Sequence, residues 1–252
     1  MSKNMIGIII AFLIGALLIS CGKRSGNIIN NVGEVDGGTN ESHNILAPKS
    51  VSSPEISSLY FYIEDSFFPQ GRIVAETFPS SEKEYEKQIR KYLYDEKTET
   101  AELKNIYDSE DTKKLFEDAD YMLYLEIVSS NEDKFAGLFP VNQELMDKIA
   151  VHIAESEIMK ENGKSRHTDG LPPKAGSFSL RAKFLTGESY DYSYNGGINE
   201  LSEEFTKEFL KIIETEIPLN PIYQKVNSAM NNNFNEVILK LDSENYNPVF
   251  NE

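Results

Sequence analysis

The chain has 252 residues, 40% of them hydrophobic, which is enough for one domain with a packed core. Its 25 Lys and Arg against 41 Asp and Glu leave a formal charge of −16. That balance argues against nucleic acid as a partner, because phosphate binding needs clustered cations, and against a body lying flat on anionic lipid. A single cysteine excludes a disulfide within the chain and a zinc site built from several thiolates, so the fold must be held by its core.

Near the start, Lys3 precedes an unbroken apolar run over residues 5–18. As a helix this run would span about 21 Å, short of the ~30 Å hydrocarbon core, and so it reads as the apolar segment of an export signal rather than a membrane span. It closes on Leu18-Ile19-Ser20-Cys21. This resembles the bacterial lipobox, with an aliphatic residue at −3, a small residue at −1 and a cysteine whose thiol takes diacylglycerol. The resemblance implies a lipoprotein signal peptide over residues 1–20, cleavage between Ser20 and Cys21, and lipid attachment at Cys21, with the membrane as a partner through that lipid. Two or three acyl chains exceed the threshold for stable attachment, which one chain does not reach.

Residues 22–55 are rich in Gly, Asn, Ser and charge and carry no helical or alternating apolar pattern. Such a segment cannot bury enough apolar surface to offset the entropy of ordering, so residues 21–55 are expected to form an acylated N-terminus and flexible, disordered tether, with His43 inside it. As coil it would reach about 30 to 35 Å.

The globular body is expected over residues 56–252. Leu59, Phe61 and Ile63 alternate with Tyr60 and Tyr62, the pattern of a strand, and a short run over residues 72–78 ends at Pro79. Ser81 with Glu84 makes a capping box, after which Tyr85, Ile89, Tyr92 and Leu93 recur at helical spacing. A second helix covers residues 101–107 or continues to Phe116. Residues 121–128 are apolar on both faces except at Glu126, which predicts an interior strand with residues 134–139 pairing back on it. Asn142 caps a helix whose Leu145, Ile149 and Ile153 repeat every four residues, running to about Glu161 and stopping at Gly163. Residues 164–176 are polar and include Pro172 and Pro173, which predicts a surface loop. Phe178, Leu180, Ala182 and Phe184 then share one strand face, and Tyr190, Tyr192 and Tyr194 alternate with Asp191 and Ser193, together a hairpin. Asn199 opens a helix carrying Leu201, Phe205, Phe209, Ile212 and Ile213 on one side, and residues 237–241 fit either a final strand or a short helix. Strands and helices alternate irregularly, with a hairpin and no βαβ rhythm. The expected class is therefore α+β: a single mainly antiparallel sheet packed on one side by helices, preceded by a disordered tether.

The sequence offers little chemistry. It has no H-E-x-x-H, P-loop, G-x-G-x-x-G or G-x-S-x-G motif, so no catalytic residue, metal ligand or cofactor is nominated. His152 and Glu155 are three apart on a predicted helix face, close enough to share a metal or a proton, although such pairs are common on helix flanks. His167 and Asp169 beside Lys164 and Arg166 form a polar cluster that a solvated loop explains equally well. The aromatic residues say more. Tyr60, Tyr62, Tyr190, Tyr192 and Tyr194 lie on predicted strand faces, where they serve either as contact residues at an interface or as half-buried sheet residues with hydroxyls in solvent.

The lipobox, the Lys/Asn/Ile-rich tether, the absence of disulfides and the compact acidic body together resemble the outer-surface antigen lipoproteins of spirochaetes, of the Borrelia type. Residues 244–250 (ENYNPVF) share the style of that group. The resemblance implies a non-enzymatic surface lipoprotein of the cell outer membrane that binds a host or envelope protein or other macromolecule, and no nucleic acid. The alternative expectation is a periplasm-facing lipoprotein acting as an enzyme or envelope assembly factor, which would need a concave pocket with converging polar groups.

Overall fold

A computed structural model of the chain describes residues 31–32, 39–65, 71–93, 101–129, 131–168, 176–196, 199–230 and 234–241. The expected signal peptide over residues 1–20, Cys21 and residues 242–252 lie outside the described residues.

The described strands are β1 (Asn31–Val32), β2 (Thr39–His43), β3 (Ile56–Asp65), β4 (Gly71–Pro79), β5 (Tyr121–Ser129), β6 (Lys134–Val141), β7 (Lys164–Thr168), β8 (Ser177–Phe184) and β9 (Ser189–Asn195). They form one nine-stranded sheet in the order β1-β2-β7-β9-β8-β3-β4-β5-β6. Neighbours are antiparallel except for β7 and β9, which pair in parallel. The helices are α1 (Glu82–Tyr92), α2 (Ala101–Asp108), α3 (Glu110–Glu117), α4 (Gln143–Glu155), α5 (Glu200–Glu216), α6 (Tyr223–Ala229) and α7 (Phe234–Leu241). The fold is α+β with one mainly antiparallel sheet.

Period-two alternation divides the sheet into two faces. Phe61, Ile63, Ile73, Ala75, Leu125, Ile127, Phe178 and Leu180 share one face and are buried there. Helices α4 and α5 cover the middle of it. The Phe61 ring lies 4.6 Å from Phe209, 5.6 Å from Phe205 and 5.8 Å from Phe178. Toward β6 the cover passes to α6 and α7, with Phe135 4.9 Å from Phe234 and 6.4 Å from Tyr223.

The helices are not confined to that face. Tyr92 of α1 stacks on Tyr124 at 4.0 Å, on the face opposite Leu123 and Leu125, and Tyr85 packs on Phe116 of α3 at 4.7 Å. Strands apolar on both faces require cover on both, and β5 carries Met122 and Tyr124 opposite Leu123 and Leu125. Beyond β6, the Tyr107 hydroxyl donates to the Leu138 carbonyl at 3.1 Å and accepts from the Leu138 amide at 2.9 Å, closing hydrogen bonds that an edge strand leaves open.

Local signals acted largely as expected. Ser81, Asn142 and Asn199 each accept an amide of the first turn through the side chain, at 3.3, 3.3 and 3.0 Å, and residues 237–241 are helical. Of the two extents expected for the second helix, the shorter holds: α2 ends at Asp108, and the Ser109 hydroxyl bonds the Ile106 carbonyl at 2.8 Å and caps α3. The helix opened by Asn142 ends at Glu155 and is followed by a 3-10 turn, Glu157–Glu161.

Two expectations are corrected. Residues 164–168 are strand β7 rather than loop, because β2 and β9 supply hydrogen bonds on either side to a sequence with no apolar alternation of its own. The tether does not extend to Glu55, since residues 39–55 belong to the body. Beyond β2, Asn44 donates its amide to the Gly163 carbonyl at 2.8 Å, Asn162 Nδ2 donates to the Pro48 carbonyl at 2.8 Å, and Ser52 bonds Glu188. The Leu185 amide reaches the Glu55 carbonyl at 2.8 Å.

Asn162 is the centre of this clasp. Its buried amide also donates to the Ser189 carbonyl at 3.0 Å and accepts the Asp191 amide at 2.8 Å. Gly163 beside it has φ +81°, and a Cβ there would lie 2.5 Å from the Ala47 Cβ and 2.8 Å from the Asn44 carbonyl oxygen. Asn162→Ala leaves part-buried backbone groups of Pro48, Ser189 and Asp191 without this partner and is expected to cost about 1 to 2 kcal/mol. Amide exchange at Asn44 and Asp191 would rise with the loss, and unchanged protection at both would contradict the clasp.

Candidate functional site

A polar cleft among the described residues lies where β2 and β7 project past α5, leaving their helix-side face open. Register sets its walls: Glu41 opposes Arg166, His43 opposes Lys164, and Arg166 lies beside Tyr194. Asn199 closes one end as the cap of α5. Its Nδ2 donates to the Tyr192 hydroxyl at 3.0 Å and its amide to the Tyr194 hydroxyl at 3.1 Å. The cleft holds about 610 Å³.

Charges in the cleft are balanced. Lys164 pairs with Glu161 at 2.7 Å, and Arg166 pairs with Glu41 at 3.2 Å. Burial raises the Tyr192 pKa and pushes that of Tyr194 up to about 12, so both stay protonated at neutral pH. His43 Nε2 is enclosed and has no hydrogen-bond partner among the described residues. Phenols held protonated and cations already paired offer hydrogen bonds to a polar ligand rather than a proton-transfer relay. His43 escaped sequence reasoning because the strand Thr-Asn-Glu-Ser-His carries no apolar alternation, and its position comes from pairing with β7.

The five tyrosines divide between the two faces. Tyr190, Tyr192 and Tyr194 are buried under the helices. Of the two roles weighed for them, the interface one does not hold, because Tyr192 opposes Leu180 and Tyr194 opposes Phe178 on the core face. Tyr60 and Tyr62 are half-exposed on the opposite face, among charged neighbours. The Arg181 guanidinium sits 5.4 Å from the Tyr60 ring centroid and 3.7 Å from Asp191, while the Tyr62 hydroxyl donates to Glu64.

The remaining histidines form no joint site. His152 Nε2 donates to the Phe205 carbonyl at 3.0 Å rather than to Glu155, and its ring stacks on Phe205 at 4.4 Å. Burial lowers its pKa, against the raising effects of that bond and of Glu208, so the ring is neutral at neutral pH. A depression of about 370 Å³ beside it includes Glu155, Glu157, Glu204 and Glu208. His167 points to the face opposite Lys164 and Arg166, 3.0 Å from the Ser165 hydroxyl, which dissolves the expected cluster, and Asp169 lies outside the described residues. Among the described residues, no group of three His, Cys, Asp or Glu is placed to hold a metal ion, and no helix is long and apolar enough to cross a membrane. Ser20 and Cys21, the residues of the expected processing and lipid site, also lie outside them.

Comparison with protein-family models, with curated proteins and with solved structures finds no match to this chain.

Proposed function

We propose that this protein is a lipid-anchored surface lipoprotein of the cell outer membrane, antigen-like and non-enzymatic, that binds a host or envelope macromolecule. The observation that carries the proposal is the placement of the only cysteine: Cys21 directly follows an apolar run too short to span a bilayer, in the order Leu-Ile-Ser-Cys. The half-exposed Tyr60 and Tyr62, set among Arg181, Asp191 and Glu64, are consistent with a contact surface. A body of net charge −16 suits exposure to solvent beside a membrane better than adsorption onto anionic lipid.

Cys21→Ala tests the anchor. The parent chain is expected to carry lipid mass at a mature N-terminus beginning with Cys21 and to fractionate with membranes. The variant is expected to lose the lipid mass, remain unprocessed and leave the outer-membrane fraction. Normal processing and retention of the variant would end the reading. Protease added to intact cells is expected to digest the body. Protection that disappears only on lysis would favour a periplasm-facing lipoprotein acting as an enzyme or assembly factor, the reading that the polar cleft at His43 favours.

A further inference from the structure

Strand register lays the floor of the cleft between β2, β7 and the start of α5. Glu41, Arg166 and Tyr194 stand in one row across three strands, and His43 and Lys164 stand in the next. Tyr192 shares the helix-side face of β9 with Tyr194, and Glu161 of the 3-10 turn reaches the cleft beside Lys164.

The hydrogen bonds made within the cleft leave much of its polar capacity unused. Arg166 engages Glu41 through Nε alone, at 3.2 Å, so the terminal nitrogens of its guanidinium have no partner among the described residues. Lys164 engages Glu161 at 2.7 Å and has two further N–H donors. The Tyr192 hydroxyl accepts from Asn199 Nδ2 at 3.0 Å, which leaves its own proton to give. His43, which also lines the cleft, has its Nε2 enclosed without a partner among the described residues, and a buried polar atom of this kind needs one. The floor thus presents donors, and the carboxylates of Glu41 and Glu161 present acceptors beside them.

That arrangement selects among ligand classes. The formal charges of the two ion pairs cancel. An anion approaching Arg166 or Lys164 meets the carboxylate already held there, and a cation approaching either carboxylate meets its guanidinium or ammonium, so neither sign of charge is gathered. Flat apolar ligands gain little, because Tyr192 and Tyr194 are 6% and 7% exposed and their ring faces are closed to stacking. A hydroxyl group both accepts and donates. Adjacent hydroxyls on one scaffold take the N–H and O–H donors of the floor and give their own protons to the flanking carboxylates. The cleft volume of about 610 Å³ lies within the roughly 300 to 1,000 Å³ of small-molecule sites.

We propose that this cleft binds a neutral saccharide unit edgewise, with Arg166, Lys164 and Tyr192 donating to its hydroxyl oxygens and Glu41 and Glu161 accepting its hydroxyl protons. The site lies on the helix side of the sheet, apart from Tyr60 and Tyr62 on the opposite face. It goes beyond the lipid-anchored reading and does not depend on it, since every group involved belongs to the folded body.

The test applies fluorescently labelled full chain, in mild detergent, to an array of immobilised neutral, sialylated and sulfated saccharides. Neutral members are expected to bind. The double variant Glu41→Gln, Arg166→Gln replaces two side chains that are more than half exposed, so the pairing of β2 with β7 is kept, and it is expected to weaken that binding at least about tenfold. Tyr192→Phe keeps the ring, removes the phenol proton and is expected to weaken binding as well. Lys183→Gln, exposed on the opposite face of β8, is expected to leave it unchanged. Binding confined to sialylated or sulfated saccharides would overturn the neutral class, because the cations would then act as an anion site. Binding to no saccharide, or binding that both cleft variants leave intact, would overturn the site. A chain without lipid mass is expected to bind the same saccharides, so failure of the anchor and failure of the cleft read out separately.

Discussion

Phe61→Ala is expected to destabilise the protein by about 4 kcal/mol, among the largest effects for any single truncation of a core side chain. Phe61 is fully buried at the middle of β3, where its ring meets Phe178 from the neighbouring strand and Phe205 and Phe209 from α5. Removing it loses the transfer free energy of a phenyl group. It also leaves a cavity that three large rings, each fixed by other neighbours, cannot close by small shifts. Urea unfolding monitored by circular dichroism measures the cost as a lower midpoint at an unchanged slope. A loss of under about 1 kcal/mol would mean that the helix layer collapses onto the sheet far more readily than close packing allows.

Glu126→Gln is expected to cost about 2 kcal/mol at neutral pH and much less in acid. Glu126 is buried, the one charged residue of β5, and its carboxylate receives Arg72 at 2.7 Å, Lys134 at 2.9 Å and the Tyr124 hydroxyl at 2.9 Å. Burial alone raises its pKa. Lys134, Arg72 and Tyr124 outweigh burial and hold it below the ordinary carboxylate value. Because the folded pKa is lowered, the contribution is complete above the unfolded value of about 4.3 and disappears as pH falls through the lowered folded value. Both cations are partly exposed, which places the cost below that of a fully buried pair. Unfolding of parent and variant at neutral pH and again below the ordinary carboxylate pKa is the measurement. The gap should close in acid, and an equal gap at both would show that the loss comes from packing rather than charge.

Much of the body is written in local pattern. The alternation in β3, β8 and β9, the double-sided apolar run of β5 and the caps at Ser81, Asn142 and Asn199 each specify their element without reference to the rest of the chain. Composition likewise excluded disulfides and weighed against nucleic-acid binding. The misreadings fall where the backbone's partners are distant in sequence. Strands β2 and β7 are polar and lie 129 residues apart at the Thr39 to Thr168 contact, so neither carries a signal of its own. Each becomes a strand because the other satisfies its hydrogen bonds.

The same cause decides the candidate site. Sequence by itself set apart Cys21, through its neighbours alone, and marked alternate tyrosines as strand residues. It could not tell which sheet face each tyrosine occupies, since period two fixes only that neighbours differ and not which side the helices cover. Tertiary packing made that choice, burying Tyr190 against the 3-10 turn at Ile158 and Tyr192 and Tyr194 at the start of α5, and leaving Tyr60 and Tyr62 half-exposed. It also brought His43 beside Lys164, because strand register joins segments whose own side chains carry no instruction to meet.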